Sequence, residues 1–217
     1  MTCSGVILSG CGGFGGSKVY ETGLRLLAIE RVSVKAAFFA RGKAQLHVIN
    51  HINGNMDAGF CTVLQDSSRI IRGEILPLDQ ADSVQYKPLI VPAGFGADKN
   101  LSYGENERRQ CNVDENLQKL TCEIYKQRKP ICFISISPGL IPSLPDEPLR
   151  VIIGTDSSYA EVIEAKGGIH VSCPVNDIVV DEEHRVVTTP ACMLTNSIDE
   201  AASEIDKLVR PVVDMIA

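Results

Sequence analysis

Apolar residues in this chain gather in short runs bounded by Gly, Pro, Ser or charge, and between the runs they recur at helical spacing. The runs are 5–9 (GVILS), 34–40 (VKAAFFA), 87–92 (KPLIVP), 129–135 (KPICFIS) and 149–154 (LRVIIG). Short continuous apolar runs rich in β-branched and aromatic side chains predict strands buried on both faces, as in parallel sheets. Helical periodicity covers 17–30, 57–71, 112–128 and 157–166, with Leu24, Leu27 and Ala28 as the apolar stripe of the first. Strands alternating with helices predict an α/β fold, a mainly parallel sheet with helices on both faces. The tail breaks the alternation: DIVVDEEHRVVTTP at 177–190 predicts a hairpin turning at 181–184, and Ser197 caps a closing helix. With no repeat, low-complexity tract or linker, residues 1–217 read as one domain.

Composition narrows the partners. At 44% hydrophobic and 22% charged residues with a net charge of -6, the chain offers no basic face to neutralise nucleic-acid phosphates. No apolar run approaches the roughly 18–20 residues that span a bilayer. Eight cysteines, at 3, 11, 61, 111, 122, 132, 173 and 192, would suggest disulfides in a small secreted scaffold. In a chain of this length without a signal-peptide pattern they read as reduced thiols, and the expected location is the cytoplasm.

Ligands of open parallel sheets gather at the carboxyl ends of the strands, which directs attention to loops 10–17, 92–100 and 135–139. The first contains Gly10-Cys11-Gly12-Gly13-Phe14-Gly15, the G-x-G-x-x-G spacing of a dinucleotide site. A ribose-binding acid should then end the second strand, but that strand ends Ala40-Arg41-Gly42-Lys43. Only a version with Arg41 on a 2′-phosphate would survive, and a loop with no ligand is the stronger reading. The third loop is more specific. An apolar strand ends at the lone polar Ser135, where a nucleophile elbow would lift its side chain clear of the sheet and aim the next N–H at an oxyanion. Ser137 is small at plus two, although Phe133 stands where the elbow pattern has glycine. Beside it, Pro92-Ala93-Gly94 could bring a second N–H, from Gly94.

Several stretches together resemble the ElbB group of the ThiJ/PfpI superfamily: GVILSGCG (5–12), VINHINGNM (48–56), SRIIRGEILPL (68–78), VPAGFGADKNLS (91–102), IGTD (153–156), CPVNDIVVDEEHRVVTTPACM (173–193) and IDEAASEIDKLV (198–209). The resemblance covers nearly the whole chain. It implies a flavodoxin-like three-layer sandwich of the class I glutamine amidotransferase-like type. It also implies a pocket in which an elbow cysteine is hydrogen-bonded by a partly protonated glutamate from the first helix, with two backbone N–H groups as oxyanion donors. On this sequence the glutamate falls on Glu21, the donors on Gly94 and Ile136, and the cysteine on Ser135. Active members of the superfamily convert glyoxal or methylglyoxal to hydroxy acids without glutathione, metal or other cofactor. ElbB-like proteins are associated with weak activity of this kind and with isoprenoid production, and the family habit is self-association, here as a homodimer.

Serine changes the chemistry expected of that pocket. A thiol can be ionised by its surroundings, whereas a hydroxyl needs a general base. Glu21 is a poor base, and the histidines offer little: His184 reads as solvated in the hairpin turn, and His170 as structural. His47 and His51 have i, i+4 spacing but sit in a strand- or loop-like segment with no third ligand, so no metal is expected. His51 is a candidate pocket residue or a loop pin, and Cys11 a candidate substitute thiol, while Cys132 reads as a small buried hydrophobe. Two functions remain: a slow glyoxalase-type hydro-lyase, or a non-catalytic relative that binds a small ligand or partner.

Overall fold

The computed structural model describes residues 2–92, 94–103, 112–143, 148–154, 157–165, 167–174, 177–190 and 197–216. Its centre is built by the runs read as buried strands. β1 (Cys3–Leu8), β2 (Lys35–Ala40), β4 (Leu89–Val91) and β7 (Ile131–Ile134) carry apolar side chains on both faces, and both faces are covered. With β3 (Leu76–Pro77), β10 (Val179–Asp181) and β11 (Val186–Thr189) they form a seven-stranded sheet in the order β10-β11-β7-β4-β1-β2-β3. Every pairing is parallel except the terminal hairpin β10–β11.

Two layers sandwich the sheet. On one face α3 (Phe95–Asn100), α4 (Glu115–Lys126) and α5 (Ser157–Ala165) place Ala97, Leu117, Leu120, Ile124 and Ile163 against Ile7, Val91, Ile131 and Phe133. The other face takes α1 (Val19–Arg31), α2 (Val63–Ile71) and α6 (Ile198–Asp214), whose Ile29, Val63, Leu208 and Val212 meet Val6, Leu8, Cys132 and Ile134. Start signals in the sequence act as caps: Thr62 and Gln65 form a capping box on α2, Asp114 accepts from Asn116 and Leu117, and Ser197 accepts from Glu200.

Four sequence expectations are corrected. The run 149–154 yields β8 (Arg150–Val151), which pairs in parallel with β9 (Ile169–His170) outside the main sheet. The helix expected from 57 starts at Val63, because the capping box sets its origin there. Leu27 is 44% exposed, and the inward stripe of α1 is Glu21, Arg25, Ala28 and Ile29, so this helix buries an ion pair among its apolar contacts. His184 is mostly buried, bonded through Nδ1 to Asp181 Oδ1 at 2.8 Å and stacked on Tyr125. Beyond those expectations lie the short hairpin of β5 (Ser102–Tyr103) and β6 (Asn112–Val113), and α3 within loop 92–100. The cysteines described, 3, 11, 61, 122, 132 and 173, are free thiols; Cys111 and Cys192 lie outside the described residues.

Candidate active site

β7 ends where the sequence places its polar residue, and the backbone there bends sharply. Ser135 has φ +59°, a left-handed conformation that non-glycine residues seldom adopt, and its N–H still reaches the Thr189 carbonyl of β11 at 2.8 Å. Ser137 holds the turn: its Oγ accepts from the Ile134 N–H at 2.6 Å and lies 2.9 Å from the Val91 and Ile134 carbonyls. One buried hydroxyl thereby ties the ends of β4 and β7 together, a use of a small plus-two residue that the elbow pattern alone does not reveal. Ser135 is only 2% exposed, and its hydroxyl makes no hydrogen bond among the described residues.

Gly94 and Ile136 are the two expected oxyanion donors, and neither N–H has a partner among the described residues. Gly94 sits at φ +118°, and a Cβ there would lie 2.1 Å from the Gly16 carbonyl oxygen. Gly96 is equally confined, at 2.4 Å from Gly16 Cα and the Ser9 oxygen. Residues 94–96 therefore pack backbone to backbone on loop 10–17, which only glycines permit.

Loop 10–17 itself is closed upon the protein. Gly10 N–H donates to Ser67 Oγ at 2.8 Å and Cys11 N–H to Asp66 Oδ2 at 2.7 Å, while Gly16 and Ser17 N–H reach the Gly12 and Gly10 carbonyls. Asn100 binds the Ser9 and Gly15 carbonyls from the other side at 2.8 and 2.9 Å. A pyrophosphate cradle needs such N–H groups free, and here a carboxylate already occupies the place an anion would take. Arg41, the residue left for a 2′-phosphate, is buried in an ion pair with Asp114 at 2.9 Å and bonded to the Asn100 carbonyl. The glycines serve close packing. Asp66, Ser67 and Asn100 give no signal for this clamp in the sequence, because each lies at least 50 residues from the atoms it holds.

The remaining candidates fall on this frame. His51 lies exposed over the loop, its ring 5.9 Å from Phe14 and so close to Gly12 that a Cβ there would sit 2.1 Å from Nε2. That is the geometry of a loop pin. The Cys11 thiol is pushed up by burial and by the Asp66 charge, with Arg69 opposing, so it ionises less readily than a free thiol. Cys132, inside β7, is pushed up to about 12 by complete burial. Among the described residues no group of three His, Cys, Asp or Glu is placed to hold a metal ion, and no helix is long and apolar enough to cross a membrane.

Glu21 is fully buried in the first turn of α1. Because α1 is the crossover between parallel β1 and β2, its first turn lies at the carboxyl edge of the sheet, the edge at which Ser135 sits. Its Oε1 accepts from Arg25 Nη1 at 2.6 Å, and Oε2 has no partner among the described residues. The resemblance implies a carboxyl that donates to the elbow residue; one oxygen of that carboxyl is taken by Arg25. Arg25 is the residue that sequence reasoning missed. Its position four residues after Glu21 on one helix face was the available signal.

No protein-family model matches the chain. Its curated relatives include the human glutamine amidotransferase-like class 1 domain-containing protein 3, mitochondrial, 31% identical over 97% of this chain and 82% of that protein. The ES1 protein homolog, mitochondrial, of Rattus norvegicus is 30% identical over the same shares. A crystal structure of an isoprenoid biosynthesis protein with amidotransferase-like domain from Ehrlichia chaffeensis matches with TM-score 0.93 and 29% identity, each chain covered completely. Glyoxalase III from Candida albicans, at TM-score 0.61 and 12% identity over 97% of each chain, is similar in fold alone. With identity and coverage of this extent, the chain belongs to the glutamine amidotransferase-like class 1 family of ES1 and ElbB-type proteins.

Proposed function

We propose that the strand-end bend at Ser135 is the reactive centre of a cofactor-independent, glyoxalase-type pocket for small dicarbonyls, and that serine makes the unmodified chain slow. The observation that carries this reading is the elbow itself: a left-handed Ser135 with an uncommitted hydroxyl, flanked by the unspent N–H groups of Gly94 and Ile136. A nucleophile at this point adds to one aldehyde carbon of glyoxal, and the resulting alkoxide is stabilised by those two donors. Loss of the C–H proton from that carbon leaves its electron pair in an enediolate, and reprotonation at the neighbouring carbon leaves the first oxidised to an ester or thioester and the second reduced to an alcohol. Water releases glycolate, and no external oxidant or reductant is consumed. Serine handicaps the first step, because no histidine is hydrogen-bonded to the hydroxyl and Glu21 is tied to Arg25.

The same tie supports a second reading, a relative that keeps the pocket for binding. Glycolate formation from glyoxal by the purified chain separates the two. Ser135→Cys is expected to raise kcat by about 10²-fold or more, the scale on which a well-placed catalytic group acts, and Glu21→Ala to abolish that gain. A Ser135→Cys chain no faster than the unmodified one would overturn the catalytic reading in favour of binding. We further propose that the chain acts in the cytoplasm.

A further inference from the structure

The interface of α1 with α6 holds more charge than its apolar contacts need. Around Ala28, Ile205 and Val209 lie Arg25, 2% exposed, and Glu204, 1% exposed. Arg25 spends Nη1 on Glu21, yet its Nε and Nη2 are buried without partners, as are both oxygens of Glu204 and Oε2 of Glu21. One helix thus buries unsatisfied donors and the helix packed on it unsatisfied acceptors, a costly arrangement unless the groups can pair. The Arg25 charge also opposes the upward push that burial gives the Cys132 thiol in β7.

We infer that Arg25 is a positioning residue shared between two buried carboxylates, holding Glu21 at the carboxyl edge and reaching across to Glu204, so that the charge on α6 decides how Glu21 is held. The groups facing Glu204 are Glu200 and Lys207 on its own helix, Arg25 and Glu21 on α1, and Cys173, whose thiol is itself pushed up to about 11 by burial and by the Asp177 and Glu204 charges. Burial and the Glu200 charge raise Glu204 to about 7, with Lys207 and Arg25 opposing. With Glu204 protonated, Arg25 belongs to Glu21 alone. When Glu204 ionises, its carboxylate draws the guanidinium toward α6 through the otherwise unused Nε and Nη2, and the Nη1 hold on Glu21 loosens.

The catalytic consequence rests on the reading of the pocket proposed above, but the coupling does not, and it is tested without turnover. Carboxyl carbon NMR of the full chain, with the Glu21 and Glu204 signals assigned by their loss in Glu21→Gln and Glu204→Gln, follows both residues through about pH 5–9. The Glu21 signal is expected to step at the midpoint of Glu204, and that step to vanish in Glu204→Gln. A Glu21 signal that is flat through the Glu204 midpoint, or that steps unchanged in Glu204→Gln, overturns the inference. Coincident midpoints in the unmodified chain give the answer even if a variant folds poorly. In the Ser135→Cys background kcat is expected to change with the same midpoint, and Glu204→Gln to remove that change while leaving KM unaltered. Coupling seen by NMR in a chain that never turns over glyoxal would refute the enzyme and leave Arg25 in its positioning role.

Discussion

Two glycine-lined bends meet at the carboxyl edge of this sheet, and they use their backbones in opposite ways. Loop 10–17 spends its Gly10, Cys11, Gly16 and Ser17 N–H groups on neighbours and on itself. The bend formed by Ser135, Ile136 and Gly94 leaves the N–H groups of the last two unspent among the described residues. Both have glycine at positive φ, and the first has the more familiar glycine motif. What separates a site from a structural turn is therefore the fate of the donors. Here the loop with the motif is the wall against which the open bend is set.

The largest effect is expected where the two bends touch. Gly94→Ala would drive a Cβ to within 2.1 Å of the Gly16 oxygen at a φ that alanine avoids, and neither backbone can yield. Denaturant unfolding should show a loss of about 3 kcal/mol or more, or no folded protein. Gly12→Ala has the same 2.1 Å approach, but to the exposed ring of His51, which can swing away, so the cost should be nearer 1 kcal/mol. Equal losses at the two positions would erase the distinction between wall and surface. Asp66→Asn tests the clamp more gently. Weakening the bond to Cys11 N–H should cost about 1–2 kcal/mol. Because the Asp66 charge helps raise the Cys11 thiol, its removal should shift the alkylation–pH curve of that thiol downward.

A smaller effect separates the edge of the open bend, which rests on a titrating group, from the sealed loop. Glu204 keeps its proton to about pH 7 in the folded chain, whereas an unfolded glutamate loses it near about 4.3. Between those values the folded state binds more protons, so stability falls as pH rises through the window and levels above about 7. Melting temperature in Glu204→Gln should lose that slope; a slope that persists would assign it to other groups.

The sheet was legible because fully buried strands leave continuous apolar runs, and because Thr62, Asp114 and Ser197 announce the helices they cap. The run 149–154 misled because periodicity shows that a strand is buried, and not which sheet buries it. Of the site, Ser135 was readable as the one polar residue at a strand end, and its strain fits that reading. Gly94 and the N–H of Ile136 were readable as strand-end donors beside it, whereas Glu21 came from the family resemblance alone. Arg25 was hidden by a stripe drawn through Leu24 and Leu27, since an inward arginine looks like an error in an apolar face until its partner is seen. Glu204 could not be found at all: its neighbours on α1 stand nearly 180 residues away in sequence, and only the packing of α6 on α1 brings them together.

The claim that the bend at Ser135 is an activated position is tested most directly by giving it a nucleophile whose ionisation can be read. In Ser135→Cys, the alkylation rate of the introduced thiol is followed against pH by mass spectrometry. The native thiols serve as internal references, with Cys132 and Cys173 pushed up to about 12 and about 11 by burial. If the Gly94 and Ile136 N–H groups serve the position as proposed, half-maximal reactivity is expected below the ordinary thiol value of about 8.5, with the reaction slowed by glyoxal. An introduced thiol that titrates as high as Cys173, with glyoxal making no difference, would contradict the account.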